Sequence, residues 1–337
     1  MMLRRLLILS SCALLRTLPL EADAGYRWRI EPVGEIARPN VPGSASMGGI
    51  AWVSNNVYWA VTDWNPVVWK LELPVDLRSG RLSGCSLTRM CEPQDAVDVE
   101  AIVRDPTDGS VWIADECEQR ITRHDPATGR RTGQVELPPM MDGIHKDLGL
   151  ESLTISEDGL VMWTCTEESL KADGPRSTKA HGSDVRLTKL CRKGVADRWK
   201  VAGQWVYLTD PIAGGPWSIK GGDASRSGVS ELCLLEDGTL LVLEREFSKV
   251  IIPRLRCRIY EVDFTSATDV ANVESIKQAS GLERVGKRLL FETKGLSMYE
   301  GMCAGPKLAD GSRLLVLVSD GDNRTLCTVF SLRLYRL

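Results

Sequence analysis

Carboxylates in this sequence stand where strands should begin and end. The stretch VDVEAIVRDPTDGSVWIADE, from Val97 to Glu116, carries Asp98 and Glu100 at its apolar start and Asp115 and Glu116 at its apolar end, with a turn between. Four more segments repeat the plan. SMGGIAWV, LGLESLTI, GVSELCLL and YEGMCAGP open a strand on a small or acidic residue, adding Glu151, Glu231 and Glu300 to Glu100, with Gly49 at that place in the first copy. A second apolar strand then ends on a carboxylate: Asp63, Glu116, Glu167, Glu244 and Asp320. The spacing is 16 residues from Glu100 to Glu116 and again from Glu151 to Glu167, 13 from Glu231 to Glu244, and 20 from Glu300 to Asp320.

Acids gathered from separate strands onto one site cannot all stay ionised, because like charges a few ångströms apart raise one another's pKa. A hard divalent cation relieves them, and calcium suits a set of oxygens in irregular geometry. The expected ligands are Glu100, Glu116, Glu151, Glu167, Glu231, Glu244, Glu300, Asp320 and Asp322. A cation so held could polarise an ester or phosphoryl oxygen and orient water, while a glutamate takes the proton. Glu100, Glu151, Glu231 and Glu300 are the candidates for that work, with Arg245 as the fork that could neutralise a phosphate. Two bland readings stand beside these. Repeated acids also serve as hydrogen-bonding devices between repeats, and Arg245 would serve equally as an ion-pair partner for a neighbouring acid.

Other chemistries find little support. The chain has three histidines, His124, His145 and His181. No Cys and His spacing suggests zinc. There is no Gly-x-Ser-x-Gly elbow, His-Glu-x-x-His, Walker or dinucleotide glycine pattern. A formal net charge of −3 disfavours nucleic acid as a partner, since phosphate backbones demand concentrated Lys and Arg. The expected partner is a small-molecule substrate, and the expected state is a monomer.

The elements that must position the acids read as strands: short runs of Val, Ile, Leu, Trp and Tyr closed by Asp-Gly turns, as in PTDGS, SEDG, EDG and ADGS. Long helical periodicity is scarce, with one short helix at most around 273–290. Such a repeat predicts an all-β fold, a β-propeller of six blades at about 52 residues each, with five blades at about 63 as the alternative. In the six-blade reading, WKVAGQWVYLTDP and the N-terminal YRWRIEPVGEI supply the extra sheet. Trp59, Trp112 and Trp163, each four residues before the terminal acid of its copy, are expected to pack blade on blade.

GLESLTISEDG, GVSELCLLEDGTLLVLERE, RIYEVDF and YEGMCAGPKLADGSRLLVLVSDGDN together resemble the phytase-like family with esterase-like activity, secreted bacterial β-propellers, over roughly Gly48 to Leu334. The resemblance implies a hydrolase of phosphoesters or esters, with repeated Glu and Asp residues and calcium at the site. It matches Glu100, Glu151, Glu231 and Glu300 to the family's repeated glutamates, and Glu244 with Arg245 to its Leu-Glu-Arg step. The first copy, SMGGIAW, departs by lacking its acid. Calcium-dependent lactonases and a non-enzymatic binding propeller are the alternatives.

Residues 1–24 read as a secretory signal, from Arg4 and Arg5 through an apolar run to Ala22-Asp23-Ala24, followed by one domain over 25–337. Lipid anchoring through Cys12 is the rival. Either way the chain is expected in the periplasm or outside the cell, with no membrane span. Cys85 and Cys91 fall in a turn-rich stretch where a local disulfide is feasible. Cys165, Cys233, Cys303 and Cys327 read as small buried hydrophobes.

Overall fold

A computed structural model describes residues 27–39, 41–145, 147–213, 225–248, 254–295, 297–321 and 327–337. Residues 1–24, with Cys12, and Asp322 lie outside the described residues. Twenty strands form five four-stranded antiparallel sheets. After β1 (Trp28–Ala37), blade 1 runs β2 (Met47–Ser54), β3 (Val57–Thr62), β4 (Val68–Glu72) and β5 (Ser86–Cys91). Blade 2 is β6 (Val99–Arg104), β7 (Val111–Asp115), β8 (Arg120–His124) and β9 (Arg131–Gln134); blade 3 is β10 (Leu150–Ile155), β11 (Val161–Thr166), β12 (Asp184–Cys191) and β13 (Lys200–Leu208). Blade 4 is β14 (Arg226–Leu234), β15 (Leu240–Ser248), β16 (Arg254–Asp263) and β17 (Gly286–Gly295). Blade 5 is β18 (Met298–Lys307), β19 (Arg313–Asp320) and β20 (Thr328–Arg336), completed at its outer edge by β1.

This is a five-bladed propeller. The two segments assigned to a sixth sheet are outer strands: the first is β1, paired from Trp28 with Arg336 to Ala37 with Thr328, and the second is β13, the edge of blade 3. The first strands β2, β6, β10, β14 and β18 contact one another in sequence around the axis. Each first hairpin turns on a residue in the left-handed region: Asn55 (φ 46°), Gly109 (77°), Gly159 (71°), Gly238 (85°) and Gly311 (85°). Glycine takes that conformation at no steric cost, and Asn is among the few other residues that visit it. The expected helix near 273–290 is a single 3-10 turn, Ile276–Gln278.

Apolar side chains pack between neighbouring blades. Trp59, Trp112 and Trp163 are all buried. Trp163 meets Trp205 and Phe264 at ring-centroid distances of 5.4 and 5.2 Å, joining blade 3 to blade 4, and Trp112 meets Trp199 edge-on at 6.2 Å. Burying such side chains contributes about 1.5–3 kcal/mol each. The proposed disulfide between Cys85 and Cys91 does not form; all nine described cysteines are free thiols. The two flank an extended strand, β5, and six residues at about 3.3 Å rise put roughly 20 Å between them, well beyond the roughly 7 Å limit for a bridge. Cys165 and Cys233 are buried as expected, whereas Cys303 and Cys327 are half-buried.

Candidate metal and acid–base centre

One irregularity recurs in all five blades and sets the site. Where the first strand pairs with the second, the register slips by one residue: between Met47 and Gly49, Val99 and Ala101, Leu150 and Ser152, Val229 and Glu231, and Tyr299 and Gly301. Such a bulge leaves one residue unpaired and re-aims its side chain. The bulged residues are Gly48, Glu100, Glu151, Ser230 and Glu300. On the second strands, one residue beyond Thr62, Asp115, Thr166, Glu244 and Ser319, the partners of the residues just before each bulge, stand Asp63, Glu116, Glu167, Arg245 and Asp320. These two tiers make one mouth of the propeller.

Structural register therefore corrects two sequence assignments. In blade 4 the channel positions belong to Ser230 and Arg245, and the acids sit one residue away, on the other face. Glu231 accepts hydrogen bonds from the Leu153 and Leu232 backbone N–H groups, each at 3.0 Å, and its Oε2 is buried without a hydrogen-bond partner. Burial pushes its carboxyl well above the ordinary range, and its two hydrogen bonds tie blade 3 to blade 4. Glu244 faces outward into a charge cluster: Tyr207 donates to it at 2.6 Å and Lys287 at 2.7 Å, with Arg258 at 3.6 Å. Neither reaches the mouth as a metal ligand. Gly48 has a positive reason to lack a side chain, since a Cβ there would lie 2.8 Å from the Glu100 Oε2 atom.

The mouth divides in two. On one side Arg245 crosses to its neighbours, with Nη2 2.8 Å from Glu151 Oε1 and 3.3 Å from Glu167 Oε1, and Nη1 bonded to Glu300. Burial disfavours its charge, but Glu300, Glu167 and Glu151 outweigh that and hold the guanidinium ionised more firmly than usual. The phosphate-binding role expected of Arg245 is thus filled by these three carboxylates. On the other side lie Asp98, Glu100 and Glu116, one oxygen from each within 4.8 Å of the others; Glu116, Glu151 and Glu167 form a second such group. Glu116 Oε1 accepts from the Gly149 N–H at 2.8 Å. Asp98 Oδ2 accepts from the Cys117 thiol, while its Oδ1 is buried with no hydrogen-bond partner. Glu100 keeps part of its surface open to the channel.

Crowding of acids shows in their protonation. Burial, then repulsion from Glu300 and Glu116, carries Glu100 well above the usual carboxylate range. Glu151 rises in the same way, against the pull of Arg245. Burial raises Glu116 to about 7 despite the Gly149 N–H, Asp63 to about 7 despite the Trp64 N–H, and Glu300 to about 8 despite Arg245. Asp98 is raised by burial, less so for its bond to Cys117. An all-oxygen set with an unpartnered buried carboxylate oxygen fits a hard divalent cation such as calcium. Sequence reasoning did not single out Asp98 as a ligand; the signal was its place two residues before Glu100 in VDVEA, on the same face of an extended segment.

A cavity of about 650 Å³ opens at the opposite mouth, lined by apolar residues such as Trp52, Leu153, Leu232 and Met302 together with Glu157, Glu236 and Arg313.

No curated protein matches the sequence. Among solved structures, the chain is similar to the PQQ-bound aldose sugar dehydrogenase of Streptomyces coelicolor (TM-score 0.42, 12% identity, covering 91% of this chain and 98% of that one). It is also similar to Myxococcus xanthus glutaminyl cyclase (0.37, 9%, covering 91% and 97%) and to a streptogramin B lyase (0.35, 12%, covering 93% and 100%). The model of the phytase-like family described as "Esterase-like activity of phytase" matches residues 43–323, from ahead of β2 to beyond β19. With that span holding every acid of the mouth, the chain belongs to the phytase-like, esterase-like family.

Proposed function

We propose that the chain is a cation-assisted hydrolase of phosphoesters or related esters, working at the carboxylate mouth. The observation that carries this reading is the group Asp98, Glu100 and Glu116: three oxygens within 4.8 Å of one another, with Asp98 Oδ1 buried and unpartnered. These residues would hold the cation, which supplies charge to polarise the scissile ester or phosphoryl oxygen and to offset an anionic substrate. The chain's own groups handle protons. Glu300, titrating at about 8, is a neutral acid at pH 7 and can donate its proton to a departing alkoxide. Asp63, half-exposed and titrating at about 7, holds a carboxylate fraction that can take a proton from water. Arg245 fixes Glu151 and Glu300 across the axis, so that both acids keep their positions during turnover. As the N-terminal segment is proposed to direct export, calcium at millimolar extracellular levels would suffice for a site of modest affinity.

The test is hydrolysis of an aryl phosphodiester, an aryl phosphomonoester, phytate, an aryl carboxylate ester and a lactone, each with calcium and with chelator. Calcium-dependent turnover of one class, lost in Glu116→Gln, supports the reading and names the substrate class. Turnover unaffected by chelator, or none in a folded protein, overturns it.

A further inference from the structure

Blade 4 is the exception in the mouth. At the two equivalent positions the other blades carry Gly48 and Asp63, Glu100 and Glu116, Glu151 and Glu167, or Glu300 and Asp320; blade 4 carries Ser230 and Arg245. A repeat that supplies carboxylates elsewhere here supplies a permanent cation. Its guanidinium leaves its own blade and reaches blades 3 and 5, where Glu151, Glu167 and Glu300 surround it.

The two groups of three oxygens make this placement informative. Both have the spacing at which one cation is shared, and both use Glu116. In the group Glu116, Glu151 and Glu167, the Arg245 nitrogen already lies 2.8 and 3.3 Å from two members. In the group Asp98, Glu100 and Glu116, no Lys or Arg pairs with any member among the described residues, and Asp98 carries the unpartnered buried oxygen. A divalent ion seated beside the guanidinium would face a fixed positive charge at contact distance and would find two of its three carboxylates already used. One seat is filled by the chain and the other is left for an ion from solution.

We propose that Arg245 is a built-in cation occupying one of two carboxylate seats. The chain then takes up a single divalent ion, on Asp98, Glu100 and Glu116, and the seat on Glu116, Glu151 and Glu167 admits a second ion only when the guanidinium is removed. The inference rests on the cation reading given under Proposed function, and it deepens that reading by stating how many ions bind and where.

Calcium uptake by equilibrium dialysis of the full chain, with folding checked by circular dichroism, measures the count directly and needs no substrate. The expected stoichiometry is one ion in the wild type, two in Arg245→Met, one in Arg245→Lys, and one in Arg245→Met combined with Glu167→Gln. In the otherwise unaltered chain, Glu100→Gln should abolish uptake, whereas Glu151→Gln should leave it at one with Kd changed less than about threefold. Two ions in the wild type, or one in both wild type and Arg245→Met, would overturn the inference while leaving a cation site in place. No uptake by the wild type would remove the cation reading itself. Should Arg245→Met not fold, the conservative glutamine variants still decide: uptake lost in Glu151→Gln and kept in Glu100→Gln would put the ion in the wrong seat.

Discussion

Glu116 belongs to both carboxylate groups, and its replacement by Gln should stabilise the protein under one condition and weaken it under another. Its carboxyl titrates at about 7 against an ordinary 4.5, raised by burial and only partly relieved by the Gly149 N–H. A raised carboxyl means that the folded state keeps a proton the unfolded chain releases. That contribution is therefore full below about pH 4.5 and is lost as pH rises through about 7. The shift corresponds to about 3 kcal/mol at most. Part of that shift comes from the neighbouring charges of Glu167 and Asp98 rather than from burial, which lowers the expectation for this one site to about 2 kcal/mol. In chelator, Glu116→Gln should match the wild type at pH 5 and melt roughly 4 °C higher at pH 8.5. Calcium at 100 times its Kd should raise the wild type by about 2.7 kcal/mol and leave the variant unmoved, so the order of stability reverses. Differential scanning calorimetry at the two pH values, with and without calcium, reads all four conditions. A variant that keeps the wild-type pH slope in chelator would refute the claim that this carboxyl is strained by its surroundings.

Four further outcomes follow from the same geometry. Arg245→Met leaves Glu151, Glu167 and Glu300 without their cation and should cost about 3–5 kcal/mol at pH 8 in chelator, by denaturant unfolding, and less at pH 5. Glu231→Gln keeps a carbonyl oxygen to accept from the Leu153 and Leu232 N–H groups, so stability should change by less than about 1 kcal/mol and turnover not at all between pH 5 and 8. Glu244→Gln strips a partner from Lys287, Arg258 and Tyr207. It should destabilise by about 2–3 kcal/mol without changing the number of calcium ions bound. Cys85 and Cys91 should both alkylate without prior reduction after denaturation, read by mass spectrometry; a bridged pair would contradict the extended β5.

How legible the molecule was depends on which strands carry the signal. The first two strands of every blade are apolar and closed by Asp-Gly turns, so the repeat and the acids at its ends could be read from residue types alone. Outer strands carry far less: β5 and β9 are largely exposed, polar segments, and without them β13 and β1 passed for a sheet of their own. The site failed to be legible for a sharper reason. A bulge adds one residue, and one residue exchanges the two faces of a strand. GVSELCLL offered a glutamate within one position of the expected place, and matching by residue type selected Glu231 and Glu244 over Ser230 and Arg245. No periodicity in one sequence marks a bulge, since its cause is pairing with the neighbouring strand.

The union of β1 with β20 has a consequence for how the protein is made. Blade 5 takes its outer strand from the beginning of the chain and its three inner strands from the end, with partners such as Trp28 and Arg336 separated by nearly the whole sequence. Contacts of that separation form slowly, because the entropy of closing a very long loop must be met before they return anything. Arg245 on blade 4 bonds Glu151 on blade 3 and Glu300 on blade 5, so this cluster is completed only when the last blade docks. Until then the chain carries four finished sheets, an exposed edge on β20 and a guanidinium that meets Glu151 and Glu167 but lacks Glu300.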